Sequence, residues 1–216
     1  MTQTTPLGKL TYPISTDAAD LPLHLRSLAE SIDNRTVLRF SSVSDLTTTV
    51  TTPVAGMVAW VNATGTMHYY TGSTWVPQGA WNAYTPTWTA ATTAPAIGDG
   101  SLTGKYAIVG KVCHFTTLVT FGASTTYGSG VYTFGLPATS GTLGGLVQFS
   151  GTAISGAGRA AVAGQTSATS ASTTFTLWGP PTTTASTLSQ IGNTGLMGSA
   201  FANGHFIRIS GTYEVA

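Results

Sequence analysis

The chain has 216 residues and a formal net charge of +1, and charged residues are 7% of it, against about 25% in an ordinary soluble domain. Hydrophobic residues at 42% and aromatics at 10% are enough for a core and exclude a disordered chain, while the absence of any Lys/Arg cluster excludes a protein that neutralises nucleic-acid phosphates. A single cysteine, Cys113, excludes an internal disulfide and a multi-cysteine metal site.

Thr, Ser and Gly take the place of charge. A surface made of hydroxyls is poorly defended against self-association, so much of it is expected to be covered by copies of the chain or by other subunits. No segment approaches the ~20 apolar residues of a spanning helix. Met1 is followed by polar TQTTPLGK rather than by a basic and then an apolar run. The expectation is a protein made in the cytoplasm, without an export signal and without membrane insertion.

Charge is concentrated at the start. Residues 1–45 hold nine of the fifteen charged side chains and residues 46–216 hold six, which marks residues 1–45 as an N-terminal arm meeting different surroundings from the rest. Within the arm, Asp20 is placed to cap a helix and Pro22 falls in its first turn. Leu21, Leu25, Leu28 and Ile32 follow at spacings of four, three and four, an a/d seam of about three turns. So short a helix is marginal alone and has few apolar neighbours in sequence, so the seam is expected to self-associate around a threefold axis.

Residues 46–80 read as a small β-hairpin module. MVAWV (57–61) and MHYYT (67–71) flank Asn62-Ala63-Thr64-Gly65-Thr66, with Trp75 placed to close over one face. From residue 81 to 216 strands alternate with Gly, Ser, Thr and Pro. The predicted strands are 84–91, 104–109, 111–121, 130–135, 145–154, 158–164, 173–178 and 204–215. Eight strands at this spacing predict an antiparallel two-sheet β-sandwich, jelly-roll-like, with 164–172 and 179–200 as long loops. The fold class is therefore mainly β, with one short N-terminal helix.

Chemistry has few residues to work with. Glycoside hydrolysis uses paired carboxylates, yet beyond residue 45 only Asp99 and Glu214 are available, one in a Gly-Asp-Gly turn and the other beside the C-terminus. His24, His68, His114 and His205 are too far apart for a local metal-ligand spacing. Cys113 and His114 are neighbours on a predicted strand and so point to opposite faces, and no G-x-S-x-G elbow occurs. Neither catalysis nor a cofactor is expected. Binding remains, and Trp178, ending the strand FTLWGPP, is the candidate to stack on a sugar ring. Trp60, Trp75, Trp81 and Trp88 are expected in packing roles.

The stretch YPISTDAADLPLHLRSLAESIDNRTVLRF, followed by TTPVAGMVAWV and MHYYTGSTWVP, resembles the N-terminal portion of minor tail and other virion proteins of tailed phages infecting actinobacteria. AYTPTWTAATTAPAIGDGSLTGKYAIVGKVCHFTTLVTFGASTTYGSGVYTFGLP is similar to a β-domain common in the same proteins. The two stretches cover 12–77 and 83–137. The resemblance implies a structural virion protein, a homotrimeric tail appendage or fibre. Its N-terminal arm would attach to another virion protein, and its β-domain would meet host cell-envelope glycan. The same modules also imply an alternative, a capsid decoration or head-fibre protein with no essential receptor role.

Overall fold

The computed structural model describes residues 3–4, 11–12, 20–33, 37–142, 145–166 and 170–216, with side chains omitted for 3–4, 11–12 and 31–33. It is mainly β and divides into two compact units, Met1–Ala80 and Trp81–Ala216.

In the first unit, β1 (Gln3–Thr4) and β2 (Thr11–Tyr12) form a short antiparallel pair, and α1 spans Leu21–Asp33. The cap of α1 is the one expected: the Leu23 amide donates to Asp20 Oδ1 at 3.1 Å. A four-stranded sheet follows, in the order β3 (Leu38–Phe40), β4 (Val58–Val61), β5 (Thr66–Tyr70), β6 (Trp75–Pro77). The β4–β5 hairpin matches the expectation, but the module starts earlier than residue 46. β3 runs parallel to β4, and the helix α2 (Val43–Thr49) makes the crossover between them. Ser42 caps α2 by accepting from the Asp45 amide, and the Asp45 carboxylate accepts from the Ser41 amide and hydroxyl. These bonds hold the Asp45 carboxyl below its usual pKa. Leu46, fully buried, joins Phe40, Ala59, Val61 and Trp75 in a small core.

The second unit is one sheet rather than two facing ones. Among the described residues its path is β7 (Asn82–Tyr84), β9 (Ser101–Val109), β10 (Val112–Thr120), β16 (Phe206–Glu214), β12 (Gln148–Ser155), β13 (Gly158–Gln165), β14 (Thr174–Gly179), β11 (Tyr132–Gly135) and β8 (Trp88–Ala90), with β15 (Ser189–Gln190) added on β14. Every neighbour is antiparallel. The order β12-β13-β14-β11 is a Greek key.

The two ends of this path, β7 and β8, are consecutive in the chain and joined only by Thr85, Pro86 and Thr87. A link that short spans at most ~14 Å, so the sheet must curl until its edges nearly meet. Pro86 breaks what the sequence presents as one strand over 84–91, because it cannot donate to a ladder. Tyr84, last residue of β7, lies across Gly104 of β9, and its hydroxyl hydrogen-bonds Thr117 Oγ1. A Cβ on Gly104 would overlap that ring.

Alternation then sorts the side chains. On β10, Cys113, Phe115, Thr117 and Val119 are buried, while His114, Thr116 and Leu118 face outward. The lumen is filled by aromatics in contact: Phe115 and Phe149 meet edge to face at 4.8 Å, Phe149 reaches Phe175 at 5.6 Å, and Trp88 touches Tyr132 at 5.3 Å. Each such pair adds about 0.5–1.5 kcal/mol to the burial of its rings. Gly211 on β16 is required because Phe149 lies against its backbone where a Cβ would be.

Candidate functional site

The expected helical seam is present in part and exposed. Leu21 is 66% and Leu25 56% accessible, Leu28 is half-buried, and the side chain of Ile32 lies outside the described residues. At 100° per residue Leu21, Leu25 and Leu28 share one stripe of α1. Leu23, also 56% accessible, lies on the opposite side, a feature the heptad reading missed. Arg26 and Glu30 form an i,i+4 ion pair at 2.7 Å on the solvated surface.

The residues weighed for catalysis are tied up locally. Asp99 Oδ1 accepts from the Ser124 amide and hydroxyl, each at 2.8 Å, which lowers the carboxyl pKa and fastens the 97–100 turn to 122–125. Cys113 is fully buried in the lumen, and desolvation pushes its thiol pKa up, away from the reactive thiolate. His114, on the opposite face, hydrogen-bonds Thr212 Oγ1 at 2.8 Å. Among the described residues no group of three His, Cys, Asp or Glu side chains is arranged to hold a metal ion, and no helix is long and apolar enough to cross a membrane.

The five tryptophans separate by environment. Trp75 and Trp88 are buried in the cores of their own units. Trp60 is half-buried and donates to Asn62 Oδ1 at 3.1 Å. Trp81, expected in core or intermodule packing, is 57% accessible and so is not part of the core of its own unit.

Trp178, the expected glycan contact, lies on the outer face of β14. On β14, Phe175 and Leu177 point into the lumen, so Thr174, Thr176 and Trp178 point out. The indole is half-buried, and its Nε1 donates to Thr176 Oγ1 at 2.9 Å, which fixes the ring against the wall. It lines a groove of about 400 Å³ with Leu146, Gln165, Gln190 and the hydroxyls of Thr133 and Thr174. No lining side chain is charged. An aromatic ring flanked by two amides and several hydroxyls is suited to the apolar face and hydroxyl rim of an uncharged sugar.

Sequence reading singled out Trp178 but not its companions. The signal was present in the alternation: Thr174, Thr176 and Trp178 share parity, opposite to buried Phe175 and Leu177. Gln165 and Gln190 come from other strands, and only the pairing of β13, β14 and β15 brings them to Trp178. Comparison with protein-family models, with curated proteins and with solved structures gives no match to this chain.

Proposed function

We propose that this chain is a non-enzymatic structural protein of a tailed-phage virion, a homotrimeric appendage whose curled β-unit contacts glycan on the host surface. The observation that carries the reading is the exposed leucine stripe of α1, on a unit separate from a charge-poor, hydroxyl-rich barrel. Two leucines more than half accessible on a short helix favour association with copies of the same helix. The resemblance of residues 12–77 and 83–137 to phage virion modules supplies the setting. The Greek-key path of the second unit supports a jelly-roll-like origin for the barrel. The Trp178 groove supplies a surface for the host contact. The particle is the location this reading assigns, and another virion protein is the partner of the N-terminal arm.

A capsid decoration or head-fibre role is the second reading, since the same resemblance implies it. The test is binding by the purified full chain. Decoration of host cells, with slowed phage adsorption, supports the appendage. Firm binding to purified capsids without cell binding supports decoration instead.

A further inference from the structure

The outer wall of the barrel carries more than the Trp178 groove. From Lys105 on β9 one register row runs through Thr116, Ser210, Ser150 and Ala163 to Trp178 on β14, each residue directly opposite the next. Alternation puts all six on the outer face. Three grooves lie along this row. One, of about 620 Å³, surrounds Lys105 and Thr116 and includes Arg208 and Leu118. The next, of about 400 Å³, takes in Ser210, Ser150 and Ala163, with Leu188 at its side. The third is the Trp178 groove. Ser210 Oγ donates to Thr116 Oγ1 at 2.9 Å, so the first two grooves adjoin through a hydroxyl pair. Ala163 pairs with Trp178, so the second adjoins the third.

The charge distribution along the row is uneven. Residues 81–216 hold only six charged side chains, and two of the four cations, Lys105 and Arg208, line the same groove. Among the described residues of this unit no ion pair is formed. Asp99 is engaged by Ser124. Glu214 lies six residues along β16 from Arg208, roughly 20 Å away. Within the described residues of this unit, the two cations therefore act on the groove without an opposing carboxylate.

We propose that this row is a track for one extended acidic glycan chain, with a neutral sugar stacked on Trp178 and an acidic group held between Lys105 and Arg208. The proposal rests on the carbohydrate reading of the Trp178 groove. Five strand steps separate Lys105 from Trp178, about 24 Å along the wall, so the ligand is an oligomer and not a single sugar. Hydroxyls of Thr116, Ser210 and Ser150 line the path between. Nucleic acid is the less favoured polyanion, because two cations neutralise too few phosphates.

The test uses the full chain on an array of neutral, uronic-acid-bearing and phosphate-bearing glycans of graded length, with single-stranded DNA as a control. The expected result is preference for acidic chains, tightening with length up to a span of ~24 Å and weakening with added salt. The pair Lys105→Ala and Arg208→Ala together should weaken acidic-chain binding at least tenfold and leave neutral-sugar binding unchanged. Trp178→Ala should weaken both. Binding of neutral glycans alone, lost in Trp178→Ala, overturns the track and leaves the carbohydrate reading standing. Equal binding of DNA, or an unchanged acidic preference in the Lys105/Arg208 variant, also overturns it. Binding of no glycan removes this proposal and the carbohydrate reading together.

Discussion

Replacing Gly104 by alanine tests how the edge strand β7 seats on the sheet. A Cβ there would overlap the Tyr84 ring, which lies over Gly104 to reach the buried hydroxyl of Thr117. The nearest atoms that the new Cβ would meet all belong to the Tyr84 side chain, so the ring must move rather than the strand. Displacing it leaves Thr117, 2% accessible, without that partner, a cost of about 1–3 kcal/mol. It also breaks the edge-to-face contact of Tyr84 with Tyr106 at 5.8 Å, worth about 0.5–1.5 kcal/mol. Together these predict a loss of roughly 2–4 kcal/mol, or on the order of 10 °C in the melting temperature of this unit. Urea unfolding of the wild type, Gly104→Ala, Tyr84→Ala and the double variant measures it as a cycle. In the Tyr84→Ala background the added methyl should cost almost nothing, so the coupling should exceed about 1 kcal/mol. Gly104→Ala unfolding at the wild-type urea concentration, or an equal cost in both backgrounds, refutes this seating of Tyr84 over Gly104.

Four further outcomes are expected. Burial pushes the Tyr84 phenol up to about 12 and raises Tyr132 and Tyr213 as well; their folded pKa values exceed the unfolded value, so stability is complete below pH ~10 and falls as pH rises beyond it. Thermal melts across pH 8–12 check this, and a flat profile contradicts it. Asp99 is shifted the other way, so its contribution holds above pH ~4 and is lost on acidification; Asp99→Ala should remove that acid dependence from urea titrations. Leu25→Asp should convert trimers to monomers in light scattering, whereas persistent trimers count against the α1 seam. Trp178→Phe should keep glycan binding that Trp178→Ala loses, with both variants melting within a few degrees of the wild type.

Strands such as β10 and β14 were legible because their burial alternates residue by residue. Phe115, Thr117 and Val119 against Thr116 and Leu118 is a pattern that the sequence alone displays. Gly110, between the β9 and β10 runs, makes their turn with φ of 60°. Which strand pairs with which is not periodic information. The insertion of β16 between β10 and β12, and the return of β11 beside β14, depend on contacts far apart in the chain. For that reason a sandwich was expected where a single sheet closes through Thr85–Thr87. The helix α2 was missed because its three consecutive threonines are poor helix formers, although the Ser42–Asp45 cap was there to be read. Trp178 was identifiable from its strand, but the glutamines beside it and the row leading to Lys105 and Arg208 exist only once the sheet is assembled.

The proposed virion role is tested most directly by gold-labelled antibody imaging of intact phage particles produced from the genome that carries this sequence. Labelling at the tail, with particle-associated chain recovered as trimers, is the predicted result. Labelling over the capsid would select the decoration reading. Particles that carry no label and contain no chain by mass spectrometry would contradict the account.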